Sequence, residues 1–166
     1  MSSQQLQPGD QVSHPAYGLG VVEGISSLDR GGGATEFYSV RLTPHSLLTV
    51  PVDRAKALGL RLIVNGLEAI VACLRAPMHP LPDNSRERFI WLKACGRDPQ
   101  PETLAEGVRD LMGWGRTHRL TPADKRWLAS ASERMSAEVA LVDAIDVFQA
   151  RKMVQQEIDL LKPAIA

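Results

Sequence analysis

Three shortages narrow the choice of protein class before any motif is considered. The chain has two cysteines in 166 residues, Cys73 and Cys95, which we expect to be free buried thiols rather than a disulfide. Its formal net charge is zero, with 19 basic and 19 acidic residues, whereas a strong autonomous nucleic-acid binder is normally basic. No run approaches the roughly 20 apolar residues that span a bilayer, and the N-terminus lacks a secretory signal. We therefore expect a cytoplasmic chain without membrane contact.

The chain also lacks the residue patterns that catalysis and metal binding need. Its four histidines are His14, His45, His79 and His118. None has a cysteine or a carboxylate at metal-ligand spacing, and no nucleophile-elbow motif is present. The glycine-rich stretches 18–20 and 31–33 lack the strand-to-helix context of a phosphate loop. The sequence therefore predicts a protein that is not an enzyme and has no metal site and no cofactor.

The most informative stretch is residues 8–22, which read PGDQVSHPAYGLGVV. Pro8 and Gly9 favour a tight turn, because proline fixes φ and glycine accepts positive φ. Gly18 and Gly20 bracket a sharp bend of the kind that small, strongly curved barrels need at their corners. The stretch is typical of the start of a small SH3-like or Tudor-like barrel.

The first 63 residues continue this β pattern. Short β-rich runs alternate with turns, and no helical run separates them, which indicates a small antiparallel barrel. The glycine triplet 31–33 predicts a flexible hairpin loop. The predicted strands are 11–14, 20–25, 37–42 and 47–52.

From about residue 65 the pattern becomes helical. Apolar residues from Leu67 to Leu74 form one face of a first helix, which ends before the proline-rich connector 76–82. Four further helices are predicted: from 83–85 to about 94, over 101–112, from Thr121, and over an apolar pattern between 145 and 161. We therefore predict an α+β, two-domain fold. An N-terminal small SH3/Tudor-like antiparallel β-barrel occupies residues 1–63, and a C-terminal all-α bundle of about five helices occupies 64–166.

Capping signals set the expected helix ends. Gly96 suits the end of the second helix, and Gly113 with Gly115 suits the end of the third. Thr121 is followed by a proline and then by an acid near the positive end of the helix dipole. These residues predict the start of the fourth helix.

The neutral total charge hides an uneven distribution. Residues 86–126 hold nine basic and six acidic side chains, which is an excess of three positive charges. A weakly basic middle on a neutral protein suits DNA contact assisted by a protein partner, and it equally suits ordinary solvated helix faces. The charge pattern leaves both interpretations open.

The strand predicted at 47–52 is a candidate binding feature. Pro51 lies near its end, and proline is confined to edge strands, strand ends or bulges because it cannot donate to a ladder. An open edge can accept a strand from another protein by β-augmentation. A core strand with a terminal proline fits these residues equally well.

The three tryptophans are the other candidates. Core packing is the expected role of Trp91 and Trp127. Trp114 lies between two glycines and near two arginines, where exposure is plausible, and a tryptophan beside arginines can open a base step from the minor groove. Core packing remains the favoured interpretation for each tryptophan.

Six stretches together carry a family resemblance. They are 8–22, 50–52, 59–61, 108–111, 120–128 and 138–141. In this order they resemble the CarD/CdnL family of bacterial RNA-polymerase-binding transcription regulators. The first stretch alone also fits other barrels, including the polymerase-interaction module of transcription-repair coupling factors.

The resemblance implies that the two domains have different roles. It implies that the barrel docks on the RNA polymerase β subunit by pairing an edge strand, here Leu47, Leu48, Thr49, Val50 and Pro51. It implies that the helical domain contacts promoter DNA at the upstream edge of the bubble, weakly and with the help of polymerase, and so stabilises the open complex. The implied DNA-binding residues are Ser85, Arg86, Arg88, Trp91, Lys93, Arg97, Lys125 and Arg126. We expect a monomer when the protein is free, located in the cytoplasm and at the nucleoid through polymerase.

Two positions depart from the family pattern. Ser85 aligns with the tryptophan that acts as a minor-groove wedge in the family, and serine cannot fill an opened base step. Thr49 stands where some members carry an arginine that supports polymerase binding. A second hypothesis is therefore a divergent paralogue that binds polymerase without wedging DNA, as a competitor or as an adaptor for another protein.

Overall fold

The computed structural model describes residues 5–43, 45–63, 65–98 and 101–161. The chain divides into two compact units, Met1–Ile63 and Val64–Ala166. The first unit is a small β-sheet structure and the second is helical, as predicted.

The first unit contains five described strands in one antiparallel sheet. They are β1 Gln11–His14, β2 Gly18–Asp29, β3 Ala34–Thr43, β4 Ser46–Pro51 and β5 Arg61–Leu62, with a short 3-10 turn at Val52–Arg54. Their order in the sheet is β4-β3-β2-β1-β5. The predicted barrel is thus an open sheet, because β4 and β5 lie at its two ends and no pairing joins them within the described residues.

One face of this sheet carries the core of the unit. Val22, Val40 and Leu48 are aligned across β2, β3 and β4, and Val12 and Val50 are almost fully buried. Gly20 is required here, because an added Cβ would lie 2.6 Å from a Val40 methyl carbon. The predicted bend in the opening motif is therefore a point of close strand packing.

The hairpin of β2 and β3 is longer than predicted. The sequence pattern predicted that the second strand ends near residue 25, yet β2 pairs with β3 as far as Asp29 opposite Ala34. Residues 26–29 are exposed, so no buried apolar alternation marks them as a strand. Gly31 and Gly33 adopt positive φ in the connecting loop.

The second unit contains five helices within the described residues. They are α1 Leu67–Arg75, α2 Ser85–Arg97, α3 Pro101–Trp114, α4 Pro122–Val142 and α5 Val147–Asp159. Thr121 starts α4 through a capping box with Asp124, and Asn84 caps α2 by accepting from the backbone amides of Arg86 and Glu87. The main core of this unit contains Ile70, Leu74, Leu104, Val108, Met135, Val139, Val154 and Ile158.

Two of the glycines predicted to end helices lie inside them. Gly96 is within α2, and Gly113 is within α3. Gly113 serves close packing, because an added Cβ would lie 2.6 Å from the Met78 sulfur. The Gly96 carbonyl accepts a hydrogen bond of 2.7 Å from Arg134 on α4. Close tertiary packing thus explains Gly113, which local rules assign to a cap.

Candidate functional site

β4 is an edge strand of the sheet, which decides between the two interpretations of its proline. It pairs with β3 on one side, with Val50 opposite Tyr38 and Leu48 opposite Val40. Leu48 and Val50 pack into the core, whereas Leu47 and Thr49 lie on the other face and are exposed. Because side chains alternate along a strand, two core residues anchor β4 while the residues between them remain available.

The outer face beside β4 is partly apolar. Leu47 is 58% exposed and lies opposite Arg41, which in turn lies opposite Val21 on β2. Arg41 forms an ion pair with Glu23. An exposed apolar residue at a sheet edge is an accessible surface for a partner strand and its side chains.

The candidate DNA-contacting residues of the second unit fall into two groups. Those exposed to solvent are Ser85, Arg86, Lys93, Arg97, Lys125 and Arg126. Trp91 is half-buried against the cluster of Leu81, Leu92 and Leu111, so its indole supports the fold. The exposed cations lie on α2 and in the first turn of α4.

Arg88 is not available to DNA, contrary to the sequence-based prediction. Its side chain is 2% exposed, and its guanidinium donates to both carboxylate oxygens of Asp124 at 3.1 and 2.9 Å. It also donates to the carbonyl oxygens of Pro82 and Asp83 and lies 4.7 Å from the ring centre of Trp114. A guanidinium that is buried and bonded in this way cannot reach a phosphate.

The Arg88–Asp124 pair joins α2 to the start of α4. Asp124 is also the third residue of the α4 capping box, where it accepts from the backbone amide of Thr121 at 2.8 Å. Lys125 and Arg126 follow Asp124 directly and are exposed. The Arg88–Asp124 ion pair therefore holds Lys125 and Arg126 near the first turns of α2. Arg86 lies on the opposite, exposed face of α2.

The pKa of Asp124 reflects this environment. Burial favours the neutral acid and by itself raises the pKa, but hydrogen bonds from Arg88 and Thr121 together outweigh it. The pKa of Asp124 therefore lies below its ordinary value of 3.8. The carboxylate is charged at neutral pH, as the ion pair requires.

The lowered pKa of Asp124 makes a prediction for acid stability. Because the folded-state pKa is below that of the unfolded chain, the stabilising contribution is complete well above pH 3.8 and is lost as pH falls through the folded-state value. We expect the free energy of unfolding of the wild type to fall more steeply below about pH 4 than that of Asp124→Asn. Urea titrations at pH 6 and at pH 3 measure this. Equal losses in the two proteins would contradict the account.

The remaining tryptophans also support the fold. Trp114 is half-buried and stacks on His118, with ring centres 3.6 Å apart and planes 5° apart. Trp127 packs against both apolar clusters of the unit. The indoles therefore serve packing, as the favoured interpretation predicted.

Burial keeps the two cysteines as protonated thiols. Both cysteines are free; burial raises the pKa of Cys73, and it raises the pKa of Cys95 to about 12. Within the described ranges, histidine, cysteine, aspartate and glutamate side chains form no group of three that could hold a metal ion. Nor is any described helix long and apolar enough to cross a bilayer.

Two exposed apolar residues were missed by sequence reasoning. Phe89 is 43% exposed and Ile90 is 61% exposed, and both lie on α2 among the exposed cations. A signal was present for Ile90, which falls on the same side of the helix as Arg86 and Arg97. Phe89 lies between that side and the side of Leu92.

The chain thus has two compact units, each with a candidate binding surface. One unit offers a strand edge, and the other offers a basic helix face with exposed apolar residues. Comparisons with known proteins identify the family to which the chain belongs.

Two family models match nearly the whole chain. The CarD-like/TRCF RID domain matches residues 6–64, and the CarD C-terminal domain matches residues 69–155. The proposed transcription factor YdeB of Bacillus subtilis (strain 168) is 21% identical over 148 residues, which are 84% of this chain and 94% of that protein. The chain belongs to the CarD family of transcription regulators, whose domains are not those of enzyme families. The resemblance seen in the sequence is confirmed.

Proposed function

We propose that this protein docks on the RNA polymerase β subunit through the free edge of β4 and contacts upstream promoter DNA through its helical unit, modulating open-complex stability. The observation that carries the proposal is the position of β4 at the end of the sheet, with Leu47 and Thr49 exposed. Interaction with RNA polymerase is a known property of the family that matches residues 6–64.

The docking chemistry follows from the register of β4. An added strand bonds to the outward amides and carbonyls of the edge, and side chains of alternate residues give specificity. Leu48 and Val50 hold β4 in place, so Leu47, Thr49 and Pro51 lie on the face that a partner's side chains can reach. Thr49 makes no ionic contribution, so the affinity rests on backbone pairing and on Leu47.

DNA contact is assigned to the exposed cations of the helical unit, which are Arg86, Lys93, Arg97, Lys125 and Arg126. Ser85 is the first residue of α2 and is exposed, so its hydroxyl is accessible to a phosphate. Trp91 and Arg88 hold α2 in place instead of touching DNA. Because the chain has no net charge, binding to DNA is weak unless polymerase brings the two together.

A second candidate function omits the DNA step. The family resemblance aligns Ser85 with the wedge residue, and the burial of Arg88 removes one cation from the implied DNA-binding surface. In this role the protein occupies the polymerase site as a competitor, or recruits another protein.

The lifetime of the open complex distinguishes the two functions. Addition of the wild type to the cognate polymerase and promoter is expected to change the lifetime at least about twofold, and Lys93→Glu/Arg97→Glu is expected to lose most of that change, because it replaces attraction to phosphates by repulsion. Co-purification with the β subunit should be the same for both. If the variant changes the lifetime as much as the wild type, the second candidate is favoured.

A further inference from the structure

The exposed face of α2 carries apolar side chains that the fold does not use. The opposite face is formed by Arg88, Leu92 and Cys95, which are all buried. Phe89 and Ile90 project outside this buried stripe and remain 43% and 61% exposed. Uncovered apolar side chains ringed by charges mark interaction sites.

Helical geometry arranges this face as a line of cations flanked by apolar groups. At about 100° per residue, Arg86, Lys93 and Arg97 fall within about 40° of one another around the α2 axis. Phe89 lies to one side of this line and Ile90 to the other. At about 1.5 Å per residue, the cations span about 16 Å along the axis, which is the reach of several nucleotides.

The surface is concave and its charge is positive. A shallow depression on α2 is lined by Phe89, Ile90, Lys93, Ala94, Arg97 and Asp98. Glu87 is the one acid within the α2 sequence, and the charge of Arg88 is balanced by Asp124. Three exposed cations against Glu87 and Asp98 favour an anionic occupant.

Apolar side chains beside a line of cations favour the binding of a nucleic acid whose bases are unpaired. In a duplex the bases are stacked and paired, so phosphates are accessible but base faces are not. In a single strand, each base has a free face that an aromatic or aliphatic side chain can contact while cations follow the backbone. Apolar side chains such as Phe89 and Ile90 do not bind phosphates, so they would have no role if the face contacted phosphates only.

We propose that the exposed face of α2 binds single-stranded DNA, with Arg86, Lys93 and Arg97 along the phosphates and Phe89 and Ile90 against unpaired bases. This inference rests on the DNA contact proposed above and adds which form of DNA is bound. In a promoter, such a face would meet the strand that is exposed when the duplex opens.

The test is a comparison of two DNA forms with the full chain alone. Fluorescence anisotropy at low salt measures the Kd for a labelled 20-nucleotide mixed-sequence strand and for its duplex. We expect tighter binding of the single strand by the wild type. Phe89→Ser/Ile90→Ser should raise the Kd for the single strand at least about fivefold and change the duplex Kd less than about twofold.

α5 offers a matched control. Val147 and Phe148 are also an adjacent aliphatic and aromatic pair, 38% and 70% exposed, and Arg151 lies beside Phe148. Val147→Ser/Phe148→Ser should leave the Kd of both DNA forms unchanged. An effect equal to that of the α2 variant would show that exposed apolar groups act nonspecifically and would overturn the proposal.

Other outcomes separate this inference from the proposed function. If the wild type prefers the duplex, or if the α2 variant binds both forms like the wild type, the single-strand inference is wrong even when polymerase docking is intact. If single-strand binding behaves as expected but the protein fails to dock on the β subunit, the proposed function is wrong and the inference stands.

Discussion

Replacing Arg88 by methionine is expected to lower the free energy of unfolding of the helical unit by about 3–5 kcal/mol. The substitution keeps much of the side-chain volume but leaves the Asp124 carboxylate buried without its cation, and it removes the bonds to the Pro82 and Asp83 carbonyls. Such a loss is a large part of the stability of a typical domain. Urea titration followed by tryptophan fluorescence reports on this unit alone, because all three tryptophans lie within it.

Arg86→Met is the matched control for this substitution. Arg86 lies two residues earlier on α2 and is exposed, so its loss should change the free energy of unfolding by no more than about 0.5 kcal/mol. If both variants unfold at the same urea concentration as the wild type, the buried pair does not hold α2 in place. The assignment of Arg88 to the fold rather than to DNA would then be wrong.

The double substitution Leu47→Glu/Thr49→Glu is expected to weaken binding to the polymerase β subunit about tenfold or more. It places two carboxylates on the exposed side of β4, and charges along an edge strand oppose pairing with another strand. It also removes the apolar contact surface of Leu47, which is 58% exposed in the free protein. Surface plasmon resonance with immobilised β subunit measures the Kd of each variant.

Leu28→Glu is the control for charge alone. Leu28 is 46% exposed and lies on β2 opposite Thr35, beyond the part of β3 that pairs with β4. We expect the Kd of this variant for the β subunit to stay within about twofold of the wild-type value. Because Leu47 and Thr49 are exposed, the double variant should unfold at the same urea concentration as the wild type. Far-ultraviolet circular dichroism, which also reports on the β unit, measures this, so that reduced binding is not a loss of fold. Equal weakening by both variants would argue against docking at β4.

Local signals made most of the fold predictable. Short β-rich runs between turns located the first four strands, and the Thr121 capping signal located the start of α4. The open ends of the sheet could not be predicted, because strand order depends on pairing between residues far apart in the sequence. Gly113 was misassigned for the same reason: Met78, which packs against it, lies far along the chain.

The sequence located the strand of the candidate site but not its place in the sheet. Pro51 left an edge strand and a core strand equally open, and the order of the strands shows that β4 is at the edge. The resemblance implied that Arg88 binds DNA, whereas its partner in the structure, Asp124, is 36 residues away in the sequence. The exposure of Phe89 and Ile90 depends on which face of α2 the Arg88–Asp124 pair turns inward. That choice is made by tertiary packing.

Hydrogen–deuterium exchange of the free protein and of its complex with the RNA polymerase β subunit tests docking through β4 most directly. A partner strand would bond to the outward amides of β4, so we predict slower exchange over residues 46–51 in the complex. Exchange over residues 18–29 of β2 should change little, because β2 lies between β1 and β3. Protection confined to residues outside β4, or no protection at saturating β subunit, would contradict the account.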